Sequence, residues 1–333
     1  MVKMTDLIKG ETKKKERSSY VFSKFISDKE FKEKEQKRIT HNFYELGCRY
    51  IQENIDRVRE ERIIAVSPLA KIVTRMVEDK EFQDRLYYNA LYTKTTKEEL
   101  LASHLMNTAI YAIKIGLGLR YSDKELIRIG IAGMVYDLGM AKIPKEILNK
   151  KEKLTEREVK IVQQHTVIGY KLLQRLGTDY KWLAEVALQH HERENGCGYP
   201  KGLKGDQIIP YAKIIGIADV YEAMTHVRPQ REPFLPFVAI REIVQSQKGL
   251  FDFKTVKALL SQLSVFPVGS YVKLNNNSIG QVVETTEREP LRPKIKILFD
   301  SQGSHVEKEE YIDLKDSHLL YVVDSVYEED LPH

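Results

Sequence analysis

The chain has little of several things, and each shortage closes off a class of protein. It holds two cysteines, Cys48 and Cys197, too few for a disulfide framework. A reducing compartment is expected, and the cytoplasm is the natural one. No apolar run approaches the roughly 18 residues of a membrane-spanning helix. The cleanest run is Ile129–Val135. The first residues, MVKMTDLIKGETKKKER, lack the apolar centre of a secretory signal. There is no phosphate-binding P-loop, dinucleotide fingerprint or nucleophile elbow.

What remains is an ordinary globular composition over 333 residues, 42% hydrophobic and 30% charged. This length suggests two domains, or one with an extension. The formal net charge is +5. Residues 1–40 hold twelve Lys/Arg against seven Asp/Glu, so the excess sits there and the rest is balanced. Acids interrupt the lysines, which favours a poorly ordered, solvated leader over a nucleic-acid or membrane-surface arm. No nucleic-acid partner is expected.

Apolar spacing predicts helices from Phe43 to about Leu119. Ser67-Pro68 is expected to open one of them, and Thr96-Lys97-Glu98-Glu99 another. Further helices are expected near 123–137, 155–176, 179–191, 209–225, 236–247 and 253–262. Between 191 and 209 a Gly/Pro-rich stretch reads as an ordered loop. After Phe266-Pro267 the period changes. Segments at 271–274, 279–283, 294–299 and 319–323 read as short strands of a small barrel-like module. The expected fold is therefore mainly α: a leader (1–40), an N-terminal helical region (41–95), a helical domain (96–263) and a β-rich module (264–333).

Chemistry concentrates in the middle. His104, His165, His190 and His191 lie on apolar helical faces. Singly, each reads as a core histidine. Two acids change that. Asp137 ends the run Ile129-Gly-Ile-Ala-Gly-Met-Val-Tyr, and Asp219 ends Ile214-Ile-Gly-Ile-Ala, with no Arg or Lys inside either run. A lone buried carboxylate costs several kcal/mol. A divalent cation between inward imidazoles and carboxylates removes that cost, and Fe, Mn, Zn and Ni accept such ligands.

His190-His191-Glu192-Arg193-Glu194-Asn195-Gly196-Cys197-Gly198-Tyr199-Pro200 resembles the HHExxDGxGYP signature of HD-GYP proteins. These are metal phosphohydrolases of the HD-domain class that act on cyclic di-GMP. Asp137-Leu-Gly-Met-Ala-Lys-Ile-Pro144 looks like the family's HDIGKIGIP segment. Leu154-Thr155, Glu158, His165 and Gly169 fit its next helix. Ile209–Thr225 fits the segment that supplies a late metal-binding Asp, and Arg228-Pro229-Gln230-Arg231 resembles RPYR.

The resemblance spans about residues 70–262 and implies an HD-type bundle. The β-rich tail also resembles one found on some members. It further implies that Asp137 bridges two metals. His165, His190 and His191 would complete one site, and His104 and Asp219 would serve the other. Water between the ions would attack a phosphodiester. Arg228 or Arg231 would meet substrate phosphate, and protein partners could dock on the Gly198-Tyr199-Pro200 loop or the module.

The departures are grouped. The His of the HD pair is Tyr136, and the Lys three residues after the Asp is Met140. Leu100 stands where many members carry an acid, and Asn195 replaces the signature Asp. Lys142 points elsewhere if its turn is helical. The expectation is one sound metal site, for Fe or Mn and with Zn acceptable, beside a doubtful one. Two functions stay open: a phosphodiesterase of weakened activity, or a non-catalytic cyclic-dinucleotide-binding or interaction module in bacterial signalling.

Overall fold

A computed structural model describes residues 28–93, 100–227, 232–245, 249–285, 289–317 and 319–332. Eleven helices among them build the larger part: α1 (Asp28–Arg59), α2 (Val66–Glu78), α3 (Lys80–Tyr92), α4 (Leu100–Gly118), α5 (Asp123–Val135), α6 (Lys145–Leu148), α7 (Glu156–Gln174), α8 (Lys181–Gln189), α9 (Pro210–Thr225), α10 (Pro236–Gln245) and α11 (Phe253–Gln262). The expected leader and the predicted start at Thr96–Glu99 fall partly or wholly outside the described residues. Helix α1 begins at Asp28, inside the segment read as leader.

Helix α4 is the hub. Every residue from Ala102 to Gly116 is buried, so the helix is enclosed on all sides. It packs against α1, α3, α5, α9 and α11. By length and composition it could cross a membrane, yet 83% of that window is buried inside the protein. Each Leu or Ile enclosed in this way stabilises the fold by roughly 1.5–3 kcal/mol. Glycine sets the closest crossing: a Cβ on Gly133 of α5 would lie 2.5 Å from the Ala109 Cα of α4.

Local signals fix several starts. Asp79 accepts from Phe82 N–H (3.0 Å) to cap α3, and Asp252 accepts from Thr255 N–H (2.9 Å) to cap α11. Pro210 occupies the first turn of α9. Ser67 is not the cap that the sequence suggests. Helix α2 starts at Val66, and Ala65 N–H donates to Asn54 Oδ1 of α1 at 2.7 Å. A tertiary partner supplies the acceptor there, and local sequence cannot reveal it.

The remaining residues form β1 (Tyr271–Leu274), β2 (Ile279–Glu284), β3 (Lys294–Phe299), β4 (His305–Asp313) and β5 (Val322–Val326). All pairs are antiparallel, in the order β4-β3-β2-β1-β5. Among the described residues no ladder joins β4 to β5, so the expected barrel is an open sheet. Ile295, Ile297 and Phe299 point inward, with Lys296 and Leu298 between them on the opposite face.

Strand β4 escapes the sequence reading because HVEKEEYID is an exposed, charged edge without apolar alternation. Strand β5 begins at Val322 rather than Leu319. Asn275 holds 319–321 as a loop, donating to Leu319 O (2.9 Å) and accepting from Tyr321 N–H (3.1 Å). The sheet docks through β5 on α10, with Phe237 stacked on Phe266 at 5.0 Å. None of the candidate ligands lies in it.

Candidate metal centre

The end of α5 brings two neighbouring residues to different places. Tyr136 keeps helical geometry, and its N–H donates to Ala132 O at 2.8 Å. Asp137 then leaves the helix (φ −109°, ψ 17°), and a 3₁₀ turn, Leu138–Lys142, follows. That turn lies directly on α7. A Cβ on Gly139 would fall 2.0 Å from the His165 carbonyl oxygen, so only glycine permits the approach. The start of α7 is fixed by a reciprocal cap. Thr155 Oγ1 accepts from Glu158 N–H (3.3 Å), and the Glu158 carboxylate accepts from Thr155 N–H (2.7 Å). The Thr155 N–H, the Lys150 ammonium and the Thr155 hydroxyl, all donating to it, hold the Glu158 carboxyl down at about 2.

Two clusters result. The first holds His165, His190 and His191, whose ligand atoms lie within 4.8 Å of one another. His165 Nδ1–H donates to Val162 O (2.6 Å), and His190 Nδ1–H donates to Ala187 O (2.9 Å). Each Nδ1 therefore carries the ring proton, and each Nε2 presents a bare lone pair. Those two Nε2 atoms face each other at 3.3 Å. Asp137 Oδ1 lies 3.4 Å from His165 Nε2.

Burial, with His191 and His165 alongside, pushes the His190 imidazole well below its ordinary pKa. Burial pushes His191 down to about 3. Both rings are therefore neutral at pH 7, the state in which imidazole ligates metals. Helix α8 ends at Gln189, so both residues sit just past its last turn rather than within the predicted helix.

The signature loop closes over this cluster. Tyr199 stacks on His191 at 4.6 Å and 25°. The buried Glu192 carboxylate accepts from Lys201 N–H (2.7 Å) and Leu203 N–H (2.9 Å). Gly198 presses on the chain where a Cβ would meet His191 O at 2.4 Å. Cys197 is exposed, an ordinary loop position.

The second cluster joins α4, α5 and α9. The Tyr136 hydroxyl, fully buried, donates to Asp219 Oδ1 at 2.8 Å and lies 2.7 Å from His104 Nε2. His104 Nε2 is 3.1 Å from the same Asp219 oxygen. The other ring nitrogen, Nδ1, bonds the Glu222 carboxylate. Asn107 donates to Glu222 Oε1 (3.3 Å) and accepts from the Tyr44 hydroxyl (2.8 Å). Burial opposes the Asp219 charge, but the hydrogen bond and charge of His104 hold its carboxyl well below the usual range. Burial, then Asp219 and Asp137, push the Tyr136 hydroxyl far up, so it keeps its proton.

Sequence reasoning passes over Glu222 and Asn107, and takes His226, next to the Arg228 pair, for a surface residue. Asp219, Glu222 and His226 are spaced to share one face of α9. That spacing was the available signal. His226 is not the surface residue it resembled in sequence: Nε2–H donates to Ala90 O (2.9 Å), and Nδ1 lies 3.5 Å from Glu222. Lys142 turns away from the site and donates to Arg59 O (3.3 Å). Arg228 and Arg231 lie outside the described residues.

A divalent cation fits the first cluster, whose facing lone pairs have no proton to share. It does not fit the second, where the tyrosine hydroxyl spans His104 and Asp219.

The HD domain family model matches residues 86–255, and a KOW domain associated with the HD domain matches residues 271–333. The chain belongs to the HD domain family. Within that family it is an HD-GYP member, carrying the signature at His190–Pro200. It is 31% identical over 219 residues to a cyclic di-GMP phosphodiesterase of Pseudomonas aeruginosa, covering 66% of this chain and 53% of that one. Identity is 39% over 147 residues to a cyclic di-GMP phosphodiesterase response regulator of Xanthomonas campestris, covering 43% and 38%. It is 32% over 198 residues to a 3'3'-cGAMP-specific phosphodiesterase of Vibrio cholerae, covering 58% and 37%. The chain thus spans about half the length of these relatives, or less.

Proposed function

We propose that the chain binds a cyclic dinucleotide of the cyclic di-GMP class at a one-ion centre held by Asp137, His165, His190 and His191, and hydrolyses it only slowly. The observation that carries this reading is the pair of Nε2 lone pairs facing at 3.3 Å, with Asp137 alongside. Fe or Mn is the expected ion, and Zn is acceptable to the same donors. When bound, the ion supplies Lewis-acid polarisation of a phosphoryl oxygen.

The chain's own residues do the rest. Val162 O and Ala187 O hold the rings by their Nδ1 protons and aim each Nε2 inward. Tyr199 holds the His191 plane. Arg228 and Arg231, if they reach the ligand, meet its phosphates. Weak turnover is supported by Met140, which brings no charge to a phosphoryl group, and by Lys142, which faces Arg59. Those two positions equally support the second reading, a receptor that binds without hydrolysis.

The β-rich module carries thirteen Asp/Glu against seven Lys/Arg. It has no charge excess for nucleic-acid phosphate, which favours a protein partner there or at the Gly198-Tyr199-Pro200 loop. Two free cysteines suit a cytoplasmic setting.

The test is calorimetric titration of the Mn- or Fe-loaded protein with cyclic di-GMP, alongside a hydrolysis assay. Binding in the micromolar range or tighter, with slow product formation, is expected. His191→Ala should abolish both the ion and the binding. Fast hydrolysis, or binding that survives loss of the ion, overturns the reading.

A further inference from the structure

The second cluster is knit together by its own hydrogen bonds. The Tyr136 hydroxyl, His104 Nε2 and Asp219 Oδ1 form a closed triangle with edges of 2.7, 2.8 and 3.1 Å. A hydroxyl placed so can donate to Asp219 while accepting from His104 Nε2–H. Thr108 Oγ1 stands 3.5 Å away on a further side. His104 has a carboxylate on its other nitrogen, so both ring nitrogens are engaged within the protein. The Tyr136 ring fills the space toward the first cluster, edge-on to His190 at 4.7 Å. Metal ligands converge through lone pairs with no proton between them. Here the hydroxyl proton joins Tyr136 to Asp219, and the ring proton joins His104 to Tyr136.

We propose that Tyr136 is a built-in substitute for the second cation: its hydroxyl ties His104 to Asp219 and its ring occupies the intervening volume, so that half of the centre is closed to metal. This rests on the one-ion reading above and goes further, because it makes the vacant role of the lost histidine a filled one. The chain then holds its six inward His and Asp residues in place with one ion rather than two.

The competing chemistry is a tyrosine that has lost its proton and itself ligates a second ion. The two differ in measurable ways. Elemental analysis after loading with excess Mn or Fe under anaerobic conditions should give about one equivalent per chain for the wild type. Tyr136→Phe should also give about one, since the ring remains. Tyr136→His, which replaces the phenol with a smaller imidazole and supplies a second nitrogen beside His104, should give about two. The wild type loaded with ferric ion should lack the visible phenolate-to-iron charge-transfer absorption.

Two equivalents in the wild type overturn the proposal, as does that absorption band. So does a fall below one equivalent in a Tyr136→Phe protein that circular dichroism shows to be folded. If Tyr136→His does not fold, the wild-type stoichiometry and spectrum still decide. Zero equivalents in the wild type would instead overturn the one-ion reading, and this inference with it.

Discussion

The two halves of the centre start from similar materials and satisfy them by opposite means. In one, His165 and His190 spend their protons on backbone carbonyls and turn bare nitrogens toward each other. In the other, His104 and Asp219 meet around a hydroxyl, and Glu222 takes the remaining ring nitrogen. Buried polar atoms must find partners, and a cation or a proton network will serve. The contrast teaches that loss of a ligand need not leave a defect. A tyrosine of the right reach turns an ion site into hydrogen-bonded core. The substitutions at Tyr136 and Met140 therefore read as one change of role rather than separate damage.

The largest expected effect comes from undoing that change. Tyr136→His with Met140→Lys should raise cyclic di-GMP hydrolysis by about 10²–10³, the usual worth of a charge-stabilising group at a phosphoryl centre. The two should be more than additive, because the lysine has little to stabilise while attack is slow. Steady-state rates of the wild type, both singles and the double variant, at equal metal loading, measure this. A wild type already as fast as the double variant erases the distinction between the halves.

A middling effect separates the halves by pH. His191 titrates near 3 in the fold, against about 6.5 when unfolded. His190 is lowered as well. The unfolded chain therefore binds more protons below pH 6.5 than the native one. Stability is full above that pH and declines as pH falls from 6.5 toward 3. The slope is about 1.4 kcal/mol per pH unit for each such imidazole. Urea midpoints of chelator-treated protein from pH 7.5 to 5 should fall, and His191→Gln should flatten the slope. A midpoint that holds steady would mean these rings are not kept neutral.

The smallest effect lies outside both halves. Asp324→Ala removes an exposed ion pair with Arg241 (3.8 Å) that joins the sheet to α10. It should cost no more than about 0.5 kcal/mol and leave the metal content unchanged. A loss of metal in this variant would mean that the sheet supports the centre and that two halves are too few.

Much of this was legible beforehand because burial of a charge is a strong signal. Asp137 and Asp219 ended apolar runs with no basic residue inside them, and inward histidines at helical spacing supplied the counterpart. The signature at 190–200 then tied them to one family. Other features depended on atoms that meet only in three dimensions. That Tyr136 would reach both His104 and Asp219 follows from the crossing of α4, α5 and α9, not from its place beside Asp137. The hydrogen bonds of Asn54 to Ala65, at the entry to α2, have the same origin. Strand β4 was invisible because an edge strand needs no apolar alternation. His226 was misread because the neighbouring Arg228 pair suggested surface, while its own contacts face α3 and Glu222.

The carboxylate of Glu192 has a consequence for recognition. By accepting two backbone N–H groups from 201 and 203, it staples the signature loop across its own base before any ligand arrives. The ordering entropy of that loop is charged to folding rather than to binding. A ligand landing beside Tyr199 and His191 meets a surface that has already taken its shape. Its association should be fast and its selectivity governed by fit, with little induced rearrangement to slow the encounter.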